Sequence, residues 1–194
     1  GAAFFFACAA FLIVILVLGP LFRYIKKGTG YEKARAAAIK VPWILIIMHM
    51  GLWIIGVTLI YSVIYKWNSP AGVSYLWSLT VSCGTGLLTG VFTALAVNTS
   101  LLEPKKKLAM TTIGTNEKDA FVRVKDYLIV GASAASTAIY LVYAGNFYIL
   151  SGGKPPTHPP FTVMAFALTA VVAALFIVML YLSKKEQQYQ TRLL

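Results

Sequence analysis

The feature that most limits what this chain can become is a succession of apolar runs, each about as long as a bilayer is thick. They lie at about 2–18, 43–65, 73–97, 127–150 and 161–182. A helix needs roughly 20 residues to cross about 30 Å of hydrocarbon, so the last four qualify and the first stands near the lower limit. The expected fold is therefore an all-α, polytopic membrane bundle of five transmembrane helices, or six where a further span precedes Gly1. It would occupy residues 1–182, with 183–194 beginning a cytoplasmic helix. Composition agrees, since 59% of the 194 residues are apolar, only 12% are charged, and the mean hydropathy is +0.76.

Charge then orients the bundle. The formal net charge of +11 could suggest a nucleic-acid surface, but the cations are confined to the ends of the apolar runs, where anionic headgroups lie. No nucleic-acid partner is expected. Three segments, Arg23 to Lys40, Lys105 to Lys125 and Lys184 to Arg192, hold fifteen of the seventeen basic residues. By the positive-inside rule these are cytoplasmic, which places the N-terminus outside and the C-terminus inside. All six acids fall on the same side, so the expectation is that no carboxylate lies within a span. Tyr61, Tyr65, Trp67, Tyr75 and Trp77 bracket one external turn, as an interfacial aromatic belt does. The first run has its charges behind it, which is the wrong order for a secretory signal. Arg23, Lys26, Lys27, Lys33, Lys105, Lys106, Lys107 and Lys118 are the expected contacts to lipid headgroups, or the coupling residues of the cytoplasmic face.

The basic segments also share a layout. EKARAAAIKVPW from Glu32 aligns with EKDAFVRVKDYL from Glu117, a period of about 85, with a Pro-basic exit before each. Each segment is long enough to extend the following span downward as one helix, with TG or GTN as the break before it. The third, YLSKKEQQYQTRLL, is strongly helix-forming, and Leu182, Tyr189 and Leu193 begin a heptad seam.

Inside the membrane the motifs serve packing. CGTGLLTG has one residue too many for a dinucleotide fingerprint and lies in mid-span. Gly86, Gly90 and Ala94 instead form a small-residue stripe at four-residue spacing, for packing within the bundle or along a homodimer seam. His49 is the one histidine within a span and the weak candidate for a cofactor contact; a hydrogen bond to a neighbouring hydroxyl or carbonyl is its ordinary state. Cys8 and Cys83 lie in apolar runs and suggest neither a disulfide nor a metal. Paired carboxylates, a nucleophile with a base, a metal cluster and a phosphate loop are all missing from the sequence, so no catalytic or metal residue is assigned. No cofactor is expected, a lipid or quinone being the class such a bundle could hold.

Taken together, the exits at Leu18 to Lys27 and Leu102 to Lys107, the Glu-Lys-led helices ending in VPW and VKDYL, and the terminal LSKKEQQYQTRLL give the chain its layout. That layout resembles the multi-span sensory membrane regions of bacterial class III adenylate or guanylate cyclases and related chemoreceptor-like transducers. The resemblance implies a homodimeric bundle in the bacterial inner membrane, in which an external or lipid-borne cue moves the helices. The C-terminal helix would then carry the change to a cytoplasmic output domain, where any enzyme activity would reside. The rival expectation is a small accessory subunit of a respiratory or photosynthetic membrane complex, and the third is a transporter subunit.

Overall fold

The computed structural model describes the backbone of residues 2–67, 74–108, 120–150 and 160–191, and side chains within 12–67, 74–108, 120–143 and 167–188. Most of the external turn that the aromatic belt brackets, together with Glu117, Lys118, Leu193 and the side chain of Tyr189, lies outside these limits. Among the described residues every regular element is a helix: α1 (Ala2–Lys27), α2 (Tyr31–Leu59, continued by a π-helical turn Ile60–Ile64), α3 (Tyr75–Ser100), α4 (Leu102–Lys107), α5 (Ala120–Leu150) and α6 (Pro160–Thr191).

Among the described residues, four stretches are long and apolar enough to cross a membrane: Tyr31–Ile64, Tyr75–Ser100, Ala120–Tyr143 and Ala167–Gln188. Their outer faces carry large apolar side chains such as Ile47, Leu76 and Ile177, at 69%, 70% and 66% exposure. Such a surface is a liability in water and suits a hydrocarbon solvent. The chain is accordingly read as a membrane protein.

The helices reach further toward the basic end than apolar length alone predicts. α2 starts at Tyr31, directly after the expected Thr29–Gly30 break, because the Ala-, Lys- and Glu-rich segment before the span consists of strong helix formers. A tight reversal precedes it: Gly28 and Gly30 take φ of 68° and 83°, a left-handed conformation that costs an L-residue roughly 1–2 kcal/mol. Tyr31 then stacks edge-on against Tyr24, at 5.8 Å between centroids, and donates to the Leu108 carbonyl at 3.1 Å. α1, α2 and the end of α4 are thus tied at one level.

α3 is the central helix. Of its apolar window 44% is buried inside the bundle, against 11%, 28% and 17% for the windows of α2, α5 and α6. Its small residues make that possible. A Cβ added at Gly86 would lie 2.9 Å from Met50 Cα, and one at Gly90 would lie 2.9 Å from Ile46 Cα, so the backbones of α2 and α3 are in direct contact. Ala94, the third member of the stripe, is fully buried. On the other flank, Ser136 of α5 donates to the Gly84 carbonyl at 2.9 Å, and the Thr85 and Tyr140 hydroxyls share a 2.6 Å bond.

At the end opposite the basic residues, Tyr75 meets both Tyr61 and Trp67 edge-on, at 5.3 and 5.4 Å. Hydroxyl bonds between Thr58 and Tyr75 and between Tyr61 and Ser78 close that end of the α2–α3 pair. The apolar core runs between these two ends, through Leu45, Leu88, Val91, Leu95, Ile129 and Met179.

Candidate functional site

The most chemically distinctive place in the molecule is a buried polar cluster at the basic end, where α3, α4, α5 and α6 converge. Each contributing residue is where it is because of its register on an otherwise apolar stripe. On α6 the buried positions Val172, Met179 and Glu186 recur every seven residues, with Ser183 beside them. On α5 the stripe Phe121, Lys125, Ile129 and Ala132 follows three- and four-residue steps, and on α4 Leu102, Lys105 and Leu108 step by three. Thus Lys105, Lys125 and Glu186 occupy positions that face the core, at 4%, 2% and 1% exposure.

The geometry within the cluster is specific. Lys125 Nζ lies 2.8 Å from Glu186 Oε2, and Asn98 Nδ2 donates to Glu186 Oε1 at 2.9 Å. Lys105 Nζ donates to Asn98 Oδ1 at 2.6 Å. An ammonium can only donate and a carboxylate only accept, so the Asn98 amide has one orientation that serves both neighbours. Asn98 therefore relays between a cation on α4 and the carboxylate on α6. One helical position along α5, Asp126 accepts from Ser183 Oγ at 2.6 Å and from Gln187 Nε2 at 3.4 Å. Ser183, Glu186 and Gln187 are spaced three and one, so a single face of α6 is held by two consecutive residues of α5. A one-residue slip of α6 would turn Glu186 off this face by roughly 100°.

The burial of the site determines its chemistry. Two charges taken out of water carry a large desolvation cost, offset only when geometry and extra hydrogen bonds are good. Paired, they define one register between helices; separated, each is strongly disfavoured. The arrangement is a clamp on the point where α6 leaves the apolar layer.

The expected site residues divide into three groups. Arg23, Lys26, Lys27, Lys33, Lys106 and Lys107 are exposed at the basic end, at the level where headgroups would lie. Lys105 is buried and so makes no headgroup contact, because Leu102 and Leu108 turn its face inward and its ammonium reaches Asn98; of the two expected roles only coupling stays open to it. Lys118 lies outside the described residues. Glu186 lies past the expected end of the last span at Leu182, in the polar exit of α6, and is buried there against α3 and α5. His49 is engaged within the chain at both ring nitrogens: Nδ1 lies 2.9 Å from the Leu45 carbonyl and Nε2 lies 3.3 Å from Thr93 Oγ1. Among the described residues no group of three or more His, Cys, Asp or Glu is arranged to hold a metal.

Asn98, Lys125, Asp126, Ser183 and Glu186 are the residues that sequence reasoning misses. Charge taken segment by segment gives a side of the membrane, whereas register gives a face of a helix. The signal is present in the sequence: extending each apolar stripe by one or two turns past the last apolar residue reaches Lys125 and Glu186. Comparison with known proteins adds no relative, as no family model, curated protein or solved structure matches the chain.

Proposed function

We propose that the chain is the membrane region of a sensory transducer, in which α6 carries a change in the bundle to a cytoplasmic output domain. The observation that carries this reading is the continuity of α6. It runs unbroken from its apolar stretch through the polar exit to Thr191, and the exit is where Ser183, Glu186 and Gln187 are bonded to α5 and α3. A helix that only anchored the chain would need no buried ion pair at its way out. A helix that must hold one rotational setting, and be able to leave it, is well served by one.

On this reading α1 is a fifth span, the N-terminus is outside and the C-terminus is in the cytoplasm of a bacterial inner-membrane protein. The asymmetry of cations between the two ends supports that orientation. Membrane lipids surround the bundle, and the chain works as a homodimer whose cue is external or lipid-borne.

The test is to fuse a reporter output domain after Leu194 and compare the native chain with Glu186→Gln. That substitution keeps the side chain's shape and removes its charge. A shifted basal output in a chain that still inserts and purifies normally is the expected result. Unchanged output with lowered thermal stability would make the cluster purely structural and favour an accessory subunit of a larger membrane complex.

A further inference from the structure

Away from the buried cluster, a groove of about 940 Å³ opens between α1 and the first turn of α2. Its α1 wall is a single stripe, Leu16, Gly19, Pro20 and Arg23, at three- and four-residue spacing, and its α2 wall includes Glu32 and Lys33. The two ends differ in chemistry. Leu16 is an apolar side chain 68% exposed, much as Ile47 and Leu76 are, whereas Arg23 and Lys33 lie at the basic end. Two cations against one carboxylate leave that rim with a single positive charge, suited to a singly charged phosphate diester. Pro20 has no N–H, so the Leu16 carbonyl along the groove lacks the donor that another residue would supply. It is an acceptor for a hydroxyl or an ammonium.

The groove is a built feature. The reversal at Gly28 and Gly30, the Tyr24–Tyr31 stack and the Tyr31 bond to Leu108 fix its two walls relative to each other. At Gly19 an added Cβ would meet nothing within 4 Å, so a larger side chain can be placed on this wall without moving the other.

We propose that this groove is a specific site for an anionic phospholipid, with the phosphate between Arg23 and Lys33 and an acyl chain along Leu16, Gly19 and Pro20. The apolar end opens directly onto the lipid-facing surface, so an amphiphile can occupy both halves from the bilayer without leaving it. A soluble phosphate compound would satisfy only the rim. The site stands independently of the transducer reading, because it rests on the α1–α2 groove and not on α6.

The test counts lipids retained by the full-length chain in native mass spectrometry, from detergent micelles doped with equal phosphatidylglycerol and phosphatidylcholine. The native chain should keep phosphatidylglycerol preferentially. Arg23→Gln with Lys33→Gln should lower that preference roughly thirtyfold, from two surface cations lost. Gly19→Leu narrows the acyl-chain half of the groove, leaves both charges in place, and should lower retention without lowering thermal stability. Equal retention in all three chains would overturn the site. Loss in the charge variant alone, with Gly19→Leu unaffected, would reduce it to general surface attraction and overturn the groove. Displacement of the lipid by excess inorganic phosphate would overturn the lipid assignment in favour of a phosphate site.

Discussion

Glu186 holds two buried partners at once, the Lys125 ammonium on one carboxylate oxygen and the Asn98 amide on the other. Replacing it with Ala leaves Lys125 buried without its carboxylate, and leaves an Asn98 N–H without its acceptor. Breaking a buried pair from one side costs about 3–5 kcal/mol, whereas removing both charges and filling the space costs much less. Denaturation of the detergent-solubilised chain should therefore show Glu186→Ala strongly destabilised and Lys125→Met with Glu186→Leu less so, the remaining loss coming from the Asn98 N–H that still lacks the Glu186 acceptor. Additive losses would show that the two side chains do not act as a pair. The His49 contact belongs to a lower energy class. Thr93 already donates to the Thr89 carbonyl at 2.8 Å, so its 3.3 Å contact with Nε2 is a secondary one, and single hydrogen bonds between membrane helices average about 0.6 kcal/mol. That ranking is why the buried cluster, and not the lone histidine, is taken as the functional centre.

Between elements, the closest approach is that of α2 and α3. Backbone atoms of Met50 and Ile46 face Gly86 and Gly90 at distances that leave no room for a methyl group. Gly86→Ala must push two helices apart and should destabilise by about 1–3 kcal/mol, the usual cost of overpacking. Gly51→Ala provides the contrast within α2: an added Cβ there meets nothing within 4 Å, and a helix-interior Gly→Ala change gains about 0.5–1 kcal/mol. Thermal unfolding of the two variants should move in opposite directions, and equal shifts would contradict the packing. The stripe at Gly86, Gly90 and Ala94 is legible in the sequence because small residues at four-residue spacing have few other uses in a membrane helix. The apolar helices are legible through their length. The downward extension of α2 is legible as well, from the Thr29–Gly30 break and the helix formers after it; which face each extension turns inward is not. The positions aligned by the internal repeat illustrate the difficulty, because Lys40 is exposed while its counterpart Lys125 is buried. Identical letters meet different neighbours: Lys125 faces Glu186 of a packed helix, and Lys40 faces outward.

At the scale of the molecule, the buried cluster, the central α3 and the unbroken α6 form one mechanical path. α3 touches α2, α5 and α6, and through Asn98 it also holds the exit of α6. On the proposed transducer reading, a change in packing along α3 reaches the cluster through a rigid element, and parting the ion pair supplies the second state of a switch. Such a bistable element is what coupling between distant places requires. The central claim is that rotational setting at the α6 exit is what the rest of the protein reads. The most direct measurement inserts one, two, three and four residues after Gln188, leaving Ser183, Glu186 and Gln187 in place, and records output from a reporter fused after Leu194. Each inserted residue turns the downstream helix by roughly 100°, so the account predicts an output that swings with the insertions and returns near its starting value at about four residues. Output that stays flat, or that declines steadily with length, would contradict it.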